Sequence, residues 1–293
     1  MFIKNFSEIS KNDVSEVGGK GASLGEMTQA GIPVPPGFVV TTETFRQFAD
    51  SEIPVDVIEQ IYSAFDELGA ERVAVRSSAV AEDSAAASWA GQLESYLNTT
   101  RADLIDRIRD CRNSIKSERA LAYAEQAGAN EEDLVVAVVV QKMVESEVSG
   151  VLFTINPITK NSEEVMIEAG YGLGEMLVQG MITPDNFLID KKTLEIKQKN
   201  IDTQNTMLIY QDGKNKEVAV PEDKKSEAAL TNEQVVQLVE LGLKIEQHYG
   251  FSVDIEWALE KDKFYIVQSR PVTTLVNNVS NNLNLKLNQF FEE

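Results

Sequence analysis

Apolar positions along the chain follow two periods, and the switches between them mark its elements. Residues 54–69 (PVDVIEQIYSAFDELG) place apolar side chains at helical spacing, the signature of an amphipathic helix. Residues 101–127 do the same through Leu104, Ile105, Ile108, Ile115 and Leu121, which predicts one long helix. A third helix is predicted over TNEQVVQLVELGLKIEQHYG, with Thr231 as its N-cap and Gly250 as its stop. Strands are predicted at Phe38–Val40, at RVAVRSS (72–78), at SGVLFTINP as far as Pro157, and at VMIEAGYG (165–172). DLVVAVVVQKMV (133–144) is an almost unbroken apolar run, the pattern of a strand covered on both faces. Two hairpins are expected, NFLIDKKTLEIKQKNI about Lys191–Lys192 and SVDIEWALEKDKFYIVQSRPV about its charged turn. Residues 13–31 read as a glycine loop running into a short helix that Gly31 ends, followed by a proline-rich turn and a Thr N-cap for the next helix. Helices mixed with antiparallel hairpins predict an α+β chain rather than a doubly wound parallel sheet.

Composition narrows the function. The 293 residues carry a formal net charge of −20, which argues against a nucleic-acid surface, since that needs clustered Lys and Arg. A few cations in a cleft can still hold a triphosphate against such a field. The single cysteine, Cys111, rules out a disulfide within the chain and suits a reducing compartment. MFIKNFSEISKND at the N-terminus lacks the apolar stretch of a signal peptide, and no window has the roughly 18 apolar residues of a membrane span, so a cytoplasmic chain without a membrane partner is expected. His248 is the only histidine and reads as structural.

Three segments carry candidate chemistry. Gly18-Gly19-Lys20-Gly21 combines close backbone approach with a cation, but it lacks Walker A spacing, and taken alone it reads first as a surface turn. Arg76 ends the VAVRSS strand and precedes SSAVAEDSAAASWAGQLES, a loop of small residues around Trp89 that could fold over phosphates with Gly91 among its donors. Asp254-x-Glu256 and Gln268-x-Arg270 each place two side chains on one face of a strand. Two readings stand even for that pair of strands: a cation such as Mg²⁺ between carboxylates, or a solvent-facing ion-pair ladder.

Taken in order, these segments resemble the N-terminal ATP-binding domain of the pyruvate phosphate dikinase, phosphoenolpyruvate synthase and rifampin phosphotransferase family. The resemblance is carried by GGKGASLGEM, IPVPPGFVVTT, VAVRSSAVAEDS, SWAGQLESYLN, VVVQKMV, SGVLFTINP, EAGYGLGE and DIEWALEKDKFYIVQSRPV, over residues 3–275. It implies an ATP-grasp fold with ATP between two lobes, here 1–98 and 99–275, before an Asn-rich linker or tail at 276–293. By motif, Lys20 and Arg76 would contact phosphates, with Gly91 and Ser95 lining the loop over them. Gln141 would meet the adenine edge. Glu256 and Gln268 would hold Mg²⁺ and phosphate oxygens, Asp254 would assist, and Arg270 would stabilise the transferring phosphoryl. Glu168 is assigned to the ribose or nearby backbone. The family's phosphorylatable histidine segment has no counterpart here. The expectation is therefore a phosphotransferase module acting on a histidine in a separate or missing domain, either a stand-alone subunit, a fragment of a longer enzyme, or a module recruited for another acceptor. The alternatives are a rifampin phosphotransferase-like part, an ATP-sensing module without turnover, and a structural relic; the last is disfavoured because Lys20, Arg76, Glu256, Gln268 and Arg270 are all present.

Overall fold

The structure is a computed structural model that describes residues 1–48, 52–80, 94–118, 120 and 135–272. Gly91 and Trp89 in the small-residue loop, Leu121 in the expected long helix, and the Asn-rich tail lie outside the described residues. The chain forms two compact units. Of the described residues, the first takes those of Met1–Gly31 and Pro35–Met143, and the second takes Ile32–Val34 and those from Val144 to Val272.

The first unit is a five-stranded antiparallel sheet in the order β1-β2-β5-β3-β4. Its strands are β1 (Ile3–Asn5), β2 (Gly37–Val40), β3 (Val73–Ala79), β4 (Ser95–Thr99) and β5 (Val136–Lys142). β5 lies in the middle and is buried through Gln141, as its unbroken apolar run requires. The units therefore divide at Met143/Val144, whereas the sequence reading put the division near residue 98: without β5, β2 and β3 would lose their common partner.

One face of this sheet, through Phe38, Val40, Val73, Val75, Val138 and Val140, packs on α2 (Thr42–Gln47), α3 (Val55–Glu67) and α4 (Leu104–Ser114). The amphipathic stripe of α3 supplies Val57, Ile61 and Phe65 to that core, and α4 supplies Leu104, Ile105, Ile108 and Cys111. Each such side chain contributes about 1.5–3 kcal/mol when fully buried. The opposite face carries α1 (Val14–Gln29), close enough that a Cβ at Gly21 would stand 3.2 Å from Val39 Cγ2. Thr41 holds the N-cap position of α2, but its hydroxyl donates to the Met1 carbonyl at 2.9 Å instead of capping.

The second unit is a six-stranded antiparallel sheet in the order β13-β12-β6-β7-β8-β9. Its strands are β6 (Val148–Phe153), β7 (Glu164–Tyr171), β8 (Asp185–Asp190), β9 (Ile196–Asn200), β12 (Val253–Glu260) and β13 (Lys263–Pro271). β6 stops at Phe153, short of the expected Pro157, because Asn156 turns the chain by accepting from the Ile158 and Thr159 N–H groups at 3.0 and 3.1 Å. Helix α5 (Asn232–Tyr249) covers one face of this sheet. Thr231 and Gln234 close its start as a capping box, and Gly250 in the left-handed conformation ends it.

A further hairpin, β10 (Thr206–Gln211) with β11 (Lys214–Ala219), is not among the predicted elements. Its flanking chain is tied to the sheet by buried polar groups. Asp185 accepts from the Asp202 and Ala229 N–H groups at 3.2 and 2.7 Å, and Gln204 bonds both the Tyr171 N–H and the Ala169 carbonyl. Among the described residues, no helix is long and apolar enough to cross a membrane.

Candidate functional site

In the first unit the GGKG segment is helical rather than a loop, with a single break. Gly18 has φ 70° and ψ 171° inside α1, a conformation only glycine adopts without strain, and the helix resumes at Gly19. Lys20 stands in the first turn after the break, buried, and its Nζ donates to the Ser77 carbonyl at 2.8 Å. Arg76 is half-buried on β3, opposite Ser95 on β4 and Val139 on β5. Strand alternation puts Arg76 on the face that bears α1. Gln141 lies on the same face as Val139 and is buried, yet its Nε2 has no hydrogen-bond partner among the described residues. A buried amide N–H without an acceptor costs free energy that a ligand acceptor would recover. Lys20, Arg76, Ser95 and Gln141 thus all belong to the first unit.

In the second unit the register of β12 collects the other candidates. Asp254 lies opposite Arg270, and Glu256 opposite Gln268, on β13. Glu256 is also opposite Val151 on β6, which in turn is opposite Glu168 on β7. Residues directly opposite across an antiparallel sheet share a face, so Glu168, Asp254, Glu256, Gln268 and Arg270 form one polar patch. The other face holds Leu152 and Ile255 against α5, where a Cβ at Gly242 would meet Leu152 Cδ2 at 2.7 Å. A bulge in β13, at Val267, shifts the register between the Glu256–Gln268 and Trp257–Ile266 pairs. It keeps Gln268 in line with Arg270 while restoring apolar positions to the α5 side.

Burial shapes the electrostatics of this patch. Arg270 donates from Nε and Nη2 to the same oxygen of Asp254, both at 2.8 Å. Even so, burial pushes the Asp254 carboxyl above its ordinary value, and the neighbouring Glu256 charge adds to the shift that Arg270 opposes. Burial, with the charge of Asp254, likewise raises Glu168. The Glu168, Asp254 and Glu256 carboxylates thus share this face with the Arg270 guanidinium. Among the described residues no group of three or more His, Cys, Asp or Glu converges as a complete metal cage. The donor chemistry nonetheless fits Mg²⁺, which favours oxygen ligands and is commonly bound through one or two carboxylates plus substrate phosphates. One oxygen of Asp254 is committed to Arg270.

One candidate residue and the sole histidine fall elsewhere. Gly91 lies outside the described residues. His248 is exposed on α5, edge-on to Tyr249 with ring centroids 5.2 Å apart, away from the patch face of the sheet. Sequence reasoning also passed over Ser77 and Ser78. The only signal available was their position directly after Arg76.

Comparison with known proteins agrees with the motif order. The chain is 41% identical to a probable phosphoenolpyruvate synthase of Methanocaldococcus jannaschii, covering 94% of this chain and 27% of that protein. It is 39% identical to the phosphoenolpyruvate synthase of Pyrococcus furiosus, covering 94% of this chain and 44% of that protein. It is also 39% identical to the rifampicin phosphotransferase of Bacillus subtilis, covering 93% of this chain and 36% of that protein. The chain thus spans less than half the length of each of these relatives. The model of the family described as "Pyruvate phosphate dikinase, AMP/ATP-binding domain" matches residues 14–52 and 48–288, and the chain belongs to that family.

Proposed function

We propose that the chain is the ATP- and Mg²⁺-dependent part of a phosphoenolpyruvate synthase-like phosphotransferase, acting in the cytoplasm and passing phosphoryl to a histidine carried by a separate or missing domain. The observation that carries this reading is the second unit's polar face, where the Asp254–Arg270 pair and the Glu256–Gln268 pair stand in adjacent register. A solvent-facing ion-pair ladder would leave its carboxyls near their ordinary values. Here burial raises Asp254 and Glu168, an arrangement that suits a site completed by a cation and phosphate oxygens.

In the first unit, Lys20 and Arg76 would neutralise phosphate charge, Gly91 and Ser95 would line the covering loop, and the unpartnered amide of Gln141 would meet the adenine edge. In the second unit, Glu256 and Gln268 would hold Mg²⁺ with help from Asp254, and Arg270 would stabilise the transferring phosphoryl. Bound there, Mg²⁺ supplies positive charge to the phosphate oxygens. The protein's own work is to hold the phosphoryl group in line with its acceptor and to present fixed cations to the charge that spreads over its oxygens. By the family resemblance the β-phosphoryl goes to histidine and AMP is released, so the γ-phosphoryl must pass to water or to a second acceptor. The final acceptor belongs to chain outside this module, and a rifampicin phosphotransferase is as similar to it as the Pyrococcus synthase.

The test is calorimetric titration of ATP with Mg²⁺ into the wild-type chain and an Arg270→Ala, Glu256→Ala double variant. Micromolar binding that the double variant loses is the expected result. Absence of binding by the wild type, or undiminished binding by the variant, would overturn the assignment. With a histidine-carrying domain supplied, the product should be AMP; ADP would refute the dikinase step.

A further inference from the structure

One buried hydroxyl in the first unit joins the two sides of the break in α1. Helix residues Gly19, Lys20 and Gly21 follow Gly18, so their N–H groups are among those a helix start leaves without intrahelical acceptors. Gly18, in the N-cap position of this second segment, has no side chain to receive any of them. Ser78, on β3, fills that role from another element: its Oγ accepts from the Gly21 N–H at 3.0 Å, the bond an N-cap side chain would make to the third helical residue. The same Oγ donates to the carbonyl of Val17, the last residue before the break, at 2.8 Å. Ser78 is fully buried, so no water can replace it. The approach is tight, since a Cβ at Gly18 would stand 2.2 Å from the Ser78 carbonyl oxygen.

Lys20 is thereby registered to β3 twice. The backbone next to it is fixed through the Gly21 N–H on Ser78, and its ammonium through the Ser77 carbonyl at 2.8 Å. The Ser77 hydroxyl cannot share this work, because it donates to the Cys111 carbonyl on the opposite face of the sheet. β3 is an internal strand paired on both sides and carries Arg76 as well. Both cations assigned to phosphate thus depend on one rigid strand.

We propose that Ser78 is the positioning residue for Lys20: its hydroxyl holds the helix break that aims the lysine, without touching the nucleotide itself. This rests on the reading of Lys20 as a phosphate contact. The test is a double-mutant cycle on the full chain, with the affinity for ATP and Mg²⁺ measured for wild type, Ser78→Ala, Lys20→Ala and the double variant, at a temperature where circular dichroism shows all four folded. Ser78→Ala should weaken ATP by about tenfold, or about 1.4 kcal/mol, and should add little once Lys20 is gone. A serine that only stabilises the fold would weaken ATP by the same factor in both backgrounds. That result, or an unchanged affinity in Ser78→Ala, would overturn the proposal alone. An unchanged affinity in Lys20→Ala would instead overturn the reading of Lys20, and the proposal with it. If Ser78→Ala does not fold, Ser78→Cys, which keeps the size and a weak donor and acceptor, carries the same cycle.

Discussion

Glu168 and Asp254 are held in the fold at a cost, because burial favours their neutral forms, helped at Glu168 by the charge of Asp254 and at Asp254 by that of Glu256 against the pull of Arg270. The sign follows from linkage. The folded chain binds the Glu168 proton more tightly than the unfolded chain, so ionised Glu168 destabilises the fold above its raised value, and the penalty disappears below the ordinary glutamate value of about 4.3. Glu168→Gln should therefore raise the melting temperature at about pH 7 without nucleotide, and the gain should shrink as the pH falls through the raised value. Thermal melts across that range check it; a gain that did not depend on pH would show that charge is not the cause. Cys111 illustrates the opposite use of burial. Enclosed in the first core, its thiol is pushed up to about 12, so it is a packing residue and not a nucleophile.

Elements follow local sequence where the signal is local. The Thr231–Gln234 box and Gly250 delimit α5 as their positions along the chain predict, and the charged turn at Lys261–Asp262 joins β12 to β13. The β10–β11 hairpin escaped because its first strand is evenly half-buried, with consecutive Met207, Leu208, Ile209 and Tyr210 giving no two-residue alternation. Three-residue β1 is too short to show a period and exists by pairing with β2. Packing between elements makes further demands. Glu246 fixes α5 to its sheet, receiving Lys191 at 2.8 Å as well as the Thr154 and Ser252 hydroxyls. Gly242 lets that helix approach Leu152, and Gly242→Val should cost about 1–3 kcal/mol through overpacking, read as a lower urea midpoint at unchanged slope. An unchanged midpoint would mean that the helix can slide outward without loss.

At the scale of the whole chain, charge dominates. A net −20 repels itself within the folded state, and screening shortens from about 30 Å at 0.01 M salt to about 8 Å at 0.15 M. Added sodium chloride should raise the unfolding temperature, with most of the rise complete by physiological ionic strength. A flat or falling response would mean that the carboxylates are already balanced locally.

The sequence by itself determined the α+β class, most of the long strands and helices, and the identity of the charged candidates, because periodicity, caps and motif order are written in neighbouring residues. It also paired Asp254 with Glu256, and Gln268 with Arg270, since alternation along a strand is a local rule. Only the tertiary structure decided the rest. It brought Glu168 into the same row as Glu256 through β6, committed one Asp254 oxygen to Arg270, and moved the division between units to Met143/Val144. It also set Ser78 beneath the break in α1, 57 residues from the amide it caps. Strand order and long-range hydrogen bonds depend on which distant segments meet, and the gain from burying them together is a property of the assembled core that no local window contains.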